Sequence, residues 1–378
     1  MNAARLFWQT WGRRLARTLA IALLLIPLSL TLSAAWWDTG NSGMTARKSQ
    51  LAQGDAVTDP TAILRNALPI ENESVRRLQA RLEDIAIGLR SKRWSPVERN
   101  VKEAGLILKY DREKVLASVP AARQAEATDL WEQLAAGLGP LREATEARDK
   151  STVWEARRQL LNGLTDLEEL MVQEFPFTVP EEYAGLPQLK GRATVKMTTD
   201  KGELIIVVDG YNAPVNAGNF VDLVERGFYD GLSFVPSQDF VLQAGDPPGD
   251  AVGFHDPDTG EYRAIPLEVK IASEPEPLYG ITLENAGFYL SQPALPFNAY
   301  GTVALARPSD DPNGGSSQFF FFLFDNELTP PGFNLMDGRY SVFGYVVEGK
   351  ETLETLKVGD TILKAEVIQG ADNLIRPS

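Results

Sequence analysis

Two glutamines set among phenylalanines and Gly/Asp turns are the most chemically suggestive feature of this 378-residue sequence. They fall between Phe234 and Gly344 in three phrases: Phe240-Val-Leu-Gln-Ala-Gly-Asp246, Gly315-Ser-Ser-Gln-Phe-Phe320 and Leu335-Met-Asp-Gly-Arg-Tyr-Ser-Val-Phe-Gly344. Apolar and aromatic side chains on strands, with amide donors beside them, describe a shallow groove suited to an extended peptide. Groups for bond breaking are scarce. The chain has no cysteine, which excludes thiol nucleophiles, disulfide frameworks and Cys-ligated zinc. Its single histidine, His255, sits in the polar stretch Gly253-Phe-His-Asp-Pro-Asp-Thr-Gly260 and reads as a solvated loop residue. A Ser–His or Cys–His nucleophilic pair and a clustered-histidine metal site are therefore excluded. No cofactor and no metal are expected.

Charge narrows the partners. The net charge is −14, yet from Gly191 onward there are 12 basic and 27 acidic residues, while the preceding part is close to neutral. A surface of that sign repels phosphate backbones, so nucleic acid is not an expected partner.

The elements that must position the groove follow from the chain in order. Residues 1–35 read as an export signal, with Arg5, Arg13, Arg14 and Arg17 before the charge-free run Leu19 to Leu32 and small residues at Ser33-Ala34-Ala35. The alternative is an uncleaved membrane tether over residues 19–35, with Trp36-Trp37 at the interface. In both cases the body of the protein is exported, by the general or the twin-arginine route. Residues 36–59 read as a flexible tether.

Residues 60–175 are expected to form an antiparallel helical bundle. Val75, Leu78, Leu82, Ile85 and Leu89 step by three and four and share one stripe. Val97, Val101, Ala104 and Leu108 form a second set. Leu130, Leu134, Leu138 and Leu141 form a third, with an interruption at Gly137 to Pro140, and Val153, Leu160, Leu164, Leu167 and Met171 a fourth. Residues 176–190 form a stiff Pro-rich link. From Gly191 the period changes to two: Ala193, Val195, Met197 and Thr199 face one way, and Leu204, Ile206 and Val208 return after the turn at Asp200-Lys-Gly202. Asn216 to Arg226 reads as a helix burying Phe220, Leu223 and Val224. Many short strands with few helices over 191–378 argue for a closed β-barrel.

These residues resemble a known family. Ala213-Pro-Val-Asn-Ala-Gly-Asn-Phe220, Gly227-Phe-Tyr-Asp-Gly231, Phe240-Val-Leu-Gln-Ala-Gly-Asp246, Gly301-Thr-Val-Ala-Leu-Ala306, Ser317-Gln-Phe-Phe320 and Asp337-Gly-Arg-Tyr-Ser-Val-Phe-Gly344 occur in the order found in cyclophilin-type peptidyl-prolyl isomerases. The resemblance covers half the chain. It implies an eight-stranded antiparallel barrel capped by two helices, here with an insertion over about Gly249 to Pro296. The layout of signal, bundle, link and acidic barrel resembles the thylakoid-lumen cyclophilins that assist photosystem II assembly. Photosystem II membrane subunits are thus the client proteins that the resemblance implies, in a thylakoid lumen or a periplasm.

Family chemistry is rotation about the bond before proline, against a resonance barrier of about 18–20 kcal/mol. An arginine that donates to the proline lowers it, with no covalent intermediate, metal or cofactor. The resemblance assigns peptide binding to Phe240, Val241, Gln243, Ala306, Arg307, Gln318, Phe320, Leu335, Met336 and Tyr340. Of these, Val241, Leu335, Met336 and Tyr340 stand where the family has methionine, tryptophan, leucine and histidine. The family's arginine position falls on Val235 or Pro236. Loss of such a donor costs about 10²–10³ in rate, so weak or absent turnover is expected. Two alternatives stand beside this binder: a full isomerase in which Arg307 or Arg339 substitutes, and a structural extrinsic subunit acting through its bundle.

Overall fold

The computed structural model describes residues 57–236, 240–257, 259–289, 291–324 and 334–377. The expected signal or membrane tether over 1–35 and most of the segment 36–59 lie outside the described residues. No helix among the described residues is long and apolar enough to cross a membrane.

The helical region comprises α1 (Pro60–Ala67), α2 (Glu73–Arg90), α3 (Trp94–Tyr110), α4 (Arg112–Leu116), α5 (Gln124–Glu146) and α6 (Lys150–Leu170). Asn72 starts α2 by accepting from the Val75 amide at 3.0 Å, which satisfies one of the amides a helix start leaves unpaired. The expected stripe Val75, Leu78, Leu82, Ile85 and Leu89 is buried, and it meets Val97, Val101, Ala104 and Leu108 of α3 and Leu160, Leu164 and Leu167 of α6 in one core. The third set differs from expectation. Helix α5 runs unbroken through Pro140, and Trp131 rather than Leu130 is its fully buried residue at that turn. Proline costs an interior hydrogen bond, but Leu134, Leu138 and Leu141 hold both halves against one core. A side chain at Gly137 would come within 3.0 Å of Leu160, so the missing Cβ lets α5 and α6 pack closely.

Helix α1 stands apart from that core. Asp59 caps it through the Thr61 amide at 2.9 Å, and its Ile63 and Leu64 pack on the outer face of the sheet.

The remaining elements are β1 (Gln188–Leu189), β2 (Arg192–Thr199), β3 (Gly202–Asp209), α7 (Pro214–Glu225), β4 (Val241–Ala244), β5 (Glu268–Lys270), β6 (Pro277–Tyr279), β7 (Thr302–Leu305), β8 (Phe319–Phe322), β9 (Val342–Glu348), α8 (Lys350–Thr355), β10 (Ile362–Gln369) and β11 (Leu374–Ile375). Seven of the strands form one antiparallel sheet in the order β10-β2-β3-β9-β7-β8-β4. Side chains from β10 at one end and β4 at the other (Ile362, Ala365, Leu242 and Ala244) share a core with Phe220, Leu223 and Val224 of α7, so the sheet is curled around that helix.

The expectation of a closed eight-stranded barrel needs correction. The sheet has two ends, and between them the irregular segment Gly231 to Val235 forms no continuous ladder: it bridges at Ser233 to Thr361 and Val235 to Gln243, with separate backbone bonds such as Phe234 to Asp360 at 2.9 Å. Short runs broken by Gly and Pro do not sustain a ladder there. The segment 176–190 is packed rather than free-standing. Phe177 and Val179 are buried in the sheet core, and β1 pairs with β11.

A buried ionic joint binds helices to sheet. Arg192 of β2 donates to Asp209 at 2.7 and 2.9 Å, to Glu169 of α6 at 3.1 Å and to the Leu64 carbonyl of α1. Arg76 donates to the Arg65 and Leu68 carbonyls at 2.8 Å each, and Arg65 pairs with Glu83 at 3.2 Å. Glu168 sits among them with no hydrogen bond to either carboxylate oxygen, its nearest cation being Arg76 at 3.8 Å. Burial pushes its carboxyl up to about 7, against the pull of Arg76 and Arg65.

Candidate peptide-binding groove

Strand register decides which side chains reach the groove. Val241 and Gln243 of β4 pair with Phe322 and Phe320 of β8, and Thr302 and Ala304 of β7 pair with the same two phenylalanines. Side chains alternate along a strand. Phe319 and Phe321 therefore turn to the inner core, while Phe320 and Phe322 join Val241, Ala306, Met336 and Tyr340 on the outer face.

The structure gathers most of the expected residues there. Phe320 forms the floor, buried and set edge-on to Tyr340 at 5.4 Å. Phe240 stands at the rim, 41% exposed and edge-on to Phe322 at 6.2 Å. Gln243 and Gln318 meet side chain to side chain at 2.6 Å. Leu335 is 87% exposed and joins none of the apolar clusters among the described residues.

Sequence reasoning missed Phe297, which stacks on Phe320 at 6.1 Å and 7°. It also missed Leu295, Val342 and the α1 residues Ile63 and Leu64, all in the same cluster. Phe297 lies one residue beyond the expected insertion, and Ile63 and Leu64 carry no strand-like spacing to link them to a sheet.

The insertion contributes a small core of Leu267, Val269, Ile271 and Leu283, and one buried acid, Glu268. Glu268 accepts from the Val215 and Asn216 amides at 3.1 and 2.8 Å, closing the start of α7. Burial pushes its carboxyl up against those bonds. Asp337, which accepts from the Phe297 and Asn334 amides at 2.8 and 3.1 Å, is pushed up to about 6 by burial. His255 is exposed, bonds the Gly260 carbonyl of its own loop at 3.2 Å and lies edge-on to Tyr262 at 5.5 Å. Among the described residues, no cluster of three acidic or imidazole groups has a spacing that would hold a metal ion.

Comparison with known proteins fits this geometry. A family described as cyclophilin type peptidyl-prolyl cis-trans isomerase matches residues 194–372, and a CYP38-like, PsbQ-like domain matches residues 59–172. A putative thylakoid lumen peptidyl-prolyl cis-trans isomerase of Synechocystis is 61% identical over 94% of this chain and 94% of its own. The chain belongs to the cyclophilin-type peptidyl-prolyl isomerases. Among the relatives of this cyclophilin are two Arabidopsis thaliana peptidyl-prolyl cis-trans isomerases, chloroplastic CYP38 (44% identity, 87% of this chain and 78% of the relative) and chloroplastic CYP37 (34%, 83% and 70%). A crystallised cyclophilin-type isomerase from Cryptosporidium parvum aligns with 47% of the chain and 99% of its own at 22% identity and a TM-score of 0.34.

In this cyclophilin Val235 and Pro236, the two positions expected for the family's arginine, carry no cation. Val235 is partly buried and bridged to Gln243 through its amide at 2.9 Å, and Pro236 is exposed. From Gly191 onward the sequence holds six arginines, all among the described residues. Arg192 belongs to the joint. Arg226, Arg263 and Arg376 converge on the buried Asp222 at 2.8, 2.7 and 2.6 Å. Arg339 pairs with Glu284 at 2.9 Å. Arg307 lies over the Tyr340 ring at 5.3 Å, donates to the Arg339 carbonyl at 2.6 and 3.1 Å and to the Pro308 carbonyl at 2.7 Å. Burial draws its pKa down.

Proposed function

We propose that this cyclophilin is an exported folding or assembly factor that holds proline-containing or extended segments of client proteins, with weak or absent isomerase turnover. The observation that carries the reading is the pairing of an apolar groove with six arginines, those from Gly191 onward, that are each engaged elsewhere. Phe320, Val241, Met336 and Tyr340 form an apolar bed beside two amides, which suits a proline ring and its flanking backbone. Arg307, which follows the groove residue Ala306, already gives every nitrogen to backbone carbonyls. Turning it towards a substrate would leave those carbonyls unpaired.

The relatives' names support a thylakoid-lumen location, and the PsbQ-like helical domain supports photosystem II membrane subunits as clients. Binding through the groove, with the helices as a second contact, fits both halves of the chain.

A proline-isomerisation assay on a tetrapeptide series tests the reading. Turnover about 10²–10³ below that of an ordinary cyclophilin is expected, the cost of losing one transition-state donor. Ordinary turnover that falls at least tenfold in Arg307→Ala or Arg339→Ala would instead establish a full isomerase with a substitute arginine.

A further inference from the structure

Gln243, Gln318 and Asp246 form one hydrogen-bonded line beside the apolar floor. Gln243 Nε2 donates to Gln318 Oε1 at 2.6 Å, and Gln318 Nε2 donates to Asp246 Oδ1 at 2.6 Å. The three residues come from β4, from the approach to β8 and from the turn after β4.

The backbone puts Asp246 where it can do this. Gly245 has φ +94°, and a Cβ there would lie 2.4 Å from the Ser317 carbonyl oxygen. That close approach is available to glycine alone. Ser317 Oγ donates back to the Gly245 carbonyl at 2.7 Å, and Tyr229 holds the Ser317 carbonyl at 3.0 Å. The turn and the strand entrance are thereby locked together.

An amide can present either its oxygen or its NH2, but an ionised carboxylate only accepts. Asp246 therefore sets the direction of the whole line. The NH2 of Gln318 must face the carboxylate, its oxygen must face Gln243, and Gln243 must turn its own NH2 inward. We propose that Asp246 is a positioning residue of the groove, whose carboxylate orients Gln318 and, through it, Gln243 towards the backbone of a bound proline-containing segment. The assignment rests on reading the groove as a peptide site. Amides already oriented lose no freedom when the peptide arrives, and a fixed donor pattern matches one chain direction of an extended peptide better than the other.

The test uses the full chain. Asp246→Asn is nearly isosteric but presents either end of an amide, so it releases the direction. Side-chain amide NMR signals of Gln318 and Gln243 are followed together with affinity for a proline-containing tetrapeptide. Both amide pairs are expected to shift, and affinity to fall about 5–10-fold, the size of one ordinary hydrogen bond lost through a loosened partner. Gln318→Glu sets a second carboxylate against Asp246 and is expected to match that loss. The double variant Asp246→Asn with Gln318→Ala is expected to bind no more weakly than Gln318→Ala alone, because the two residues act as a unit. Peptide binding with the Gln243 signals unmoved in Asp246→Asn, or losses that add, overturns the assignment and leaves the groove reading standing. A wild-type chain that binds no peptide defeats the groove reading, and the positioning role with it.

Discussion

At the joint between helices and sheet, Arg65, Arg76 and Arg192 are packed among Glu83, Glu168, Glu169 and Asp209. Along the groove, neutral amides and aromatic rings line the surface, and Arg307 is occupied with backbone carbonyls. The same residue type thus serves as a fastener in both regions. Buried ion pairs add little net stability over apolar packing but are costly to break, so the joint fixes geometry. The groove relies on shape and on hydrogen-bond direction.

Breaking the joint carries the largest expected effect. Arg192→Met removes the cation from the buried Asp209, whose other oxygen stays bonded to Asn212, and frees the Leu64 carbonyl; it is expected to lose about 3–5 kcal/mol in urea unfolding. A loss below about 1 kcal/mol would mean that the joint is ornamental.

The second expectation sharpens the same side. Glu168 has a folded pKa of about 7 against an ordinary 4.5, so the native state holds its proton longer than the unfolded chain. Its stabilising contribution is complete below about pH 4.5 and is lost as pH rises through about 7. Glu168→Gln is expected to flatten that slope and to gain roughly 1–3 kcal/mol over wild type at pH 8. Parallel stability curves for the two proteins between pH 5 and 8 would contradict this.

On the groove side, Phe240→Ala is expected to leave stability within about 0.5 kcal/mol, since the ring is a rim group. Peptide affinity should drop about tenfold, as for an aromatic anchor. Equal losses in both measurements would make Phe240 part of the core. The smallest effect is assigned to Arg339→Ala, which removes an exposed pair with Glu284 and should change the melting free energy by no more than about 1 kcal/mol.

How much of this the chain declares in advance depends on the range of the interactions. The stripe from Val75 to Leu89 and the alternation from Ala193 to Val208 are local periodicities, and both emerge as buried faces. Phe320, Gln243 and Gln318 were assigned through contiguous phrases that match the family, and the structure brings them together on adjacent strands. Arg192 touching Leu64, or Phe297 lying on Phe320, joins residues that no periodicity connects. The unbroken α5 shows the opposite failure. Pro140 signals a break locally, and packing by Leu138 and Leu141 overrules it. The sheet's open ends went unread for a related reason, since short runs between glycines look the same whether they pair fully or bridge once.

The insertion's Glu268 has a consequence for chain length. A carboxyl group drawn from a loop about 50 residues downstream completes the first turn of α7, and the next stretch of that loop delivers Leu295 beneath the groove. Trimming the loop to the size of a compact family member would uncork a central helix and leave a hole under the floor in one stroke. The loop and the curled sheet are therefore a single inheritance, to be kept whole or redesigned together.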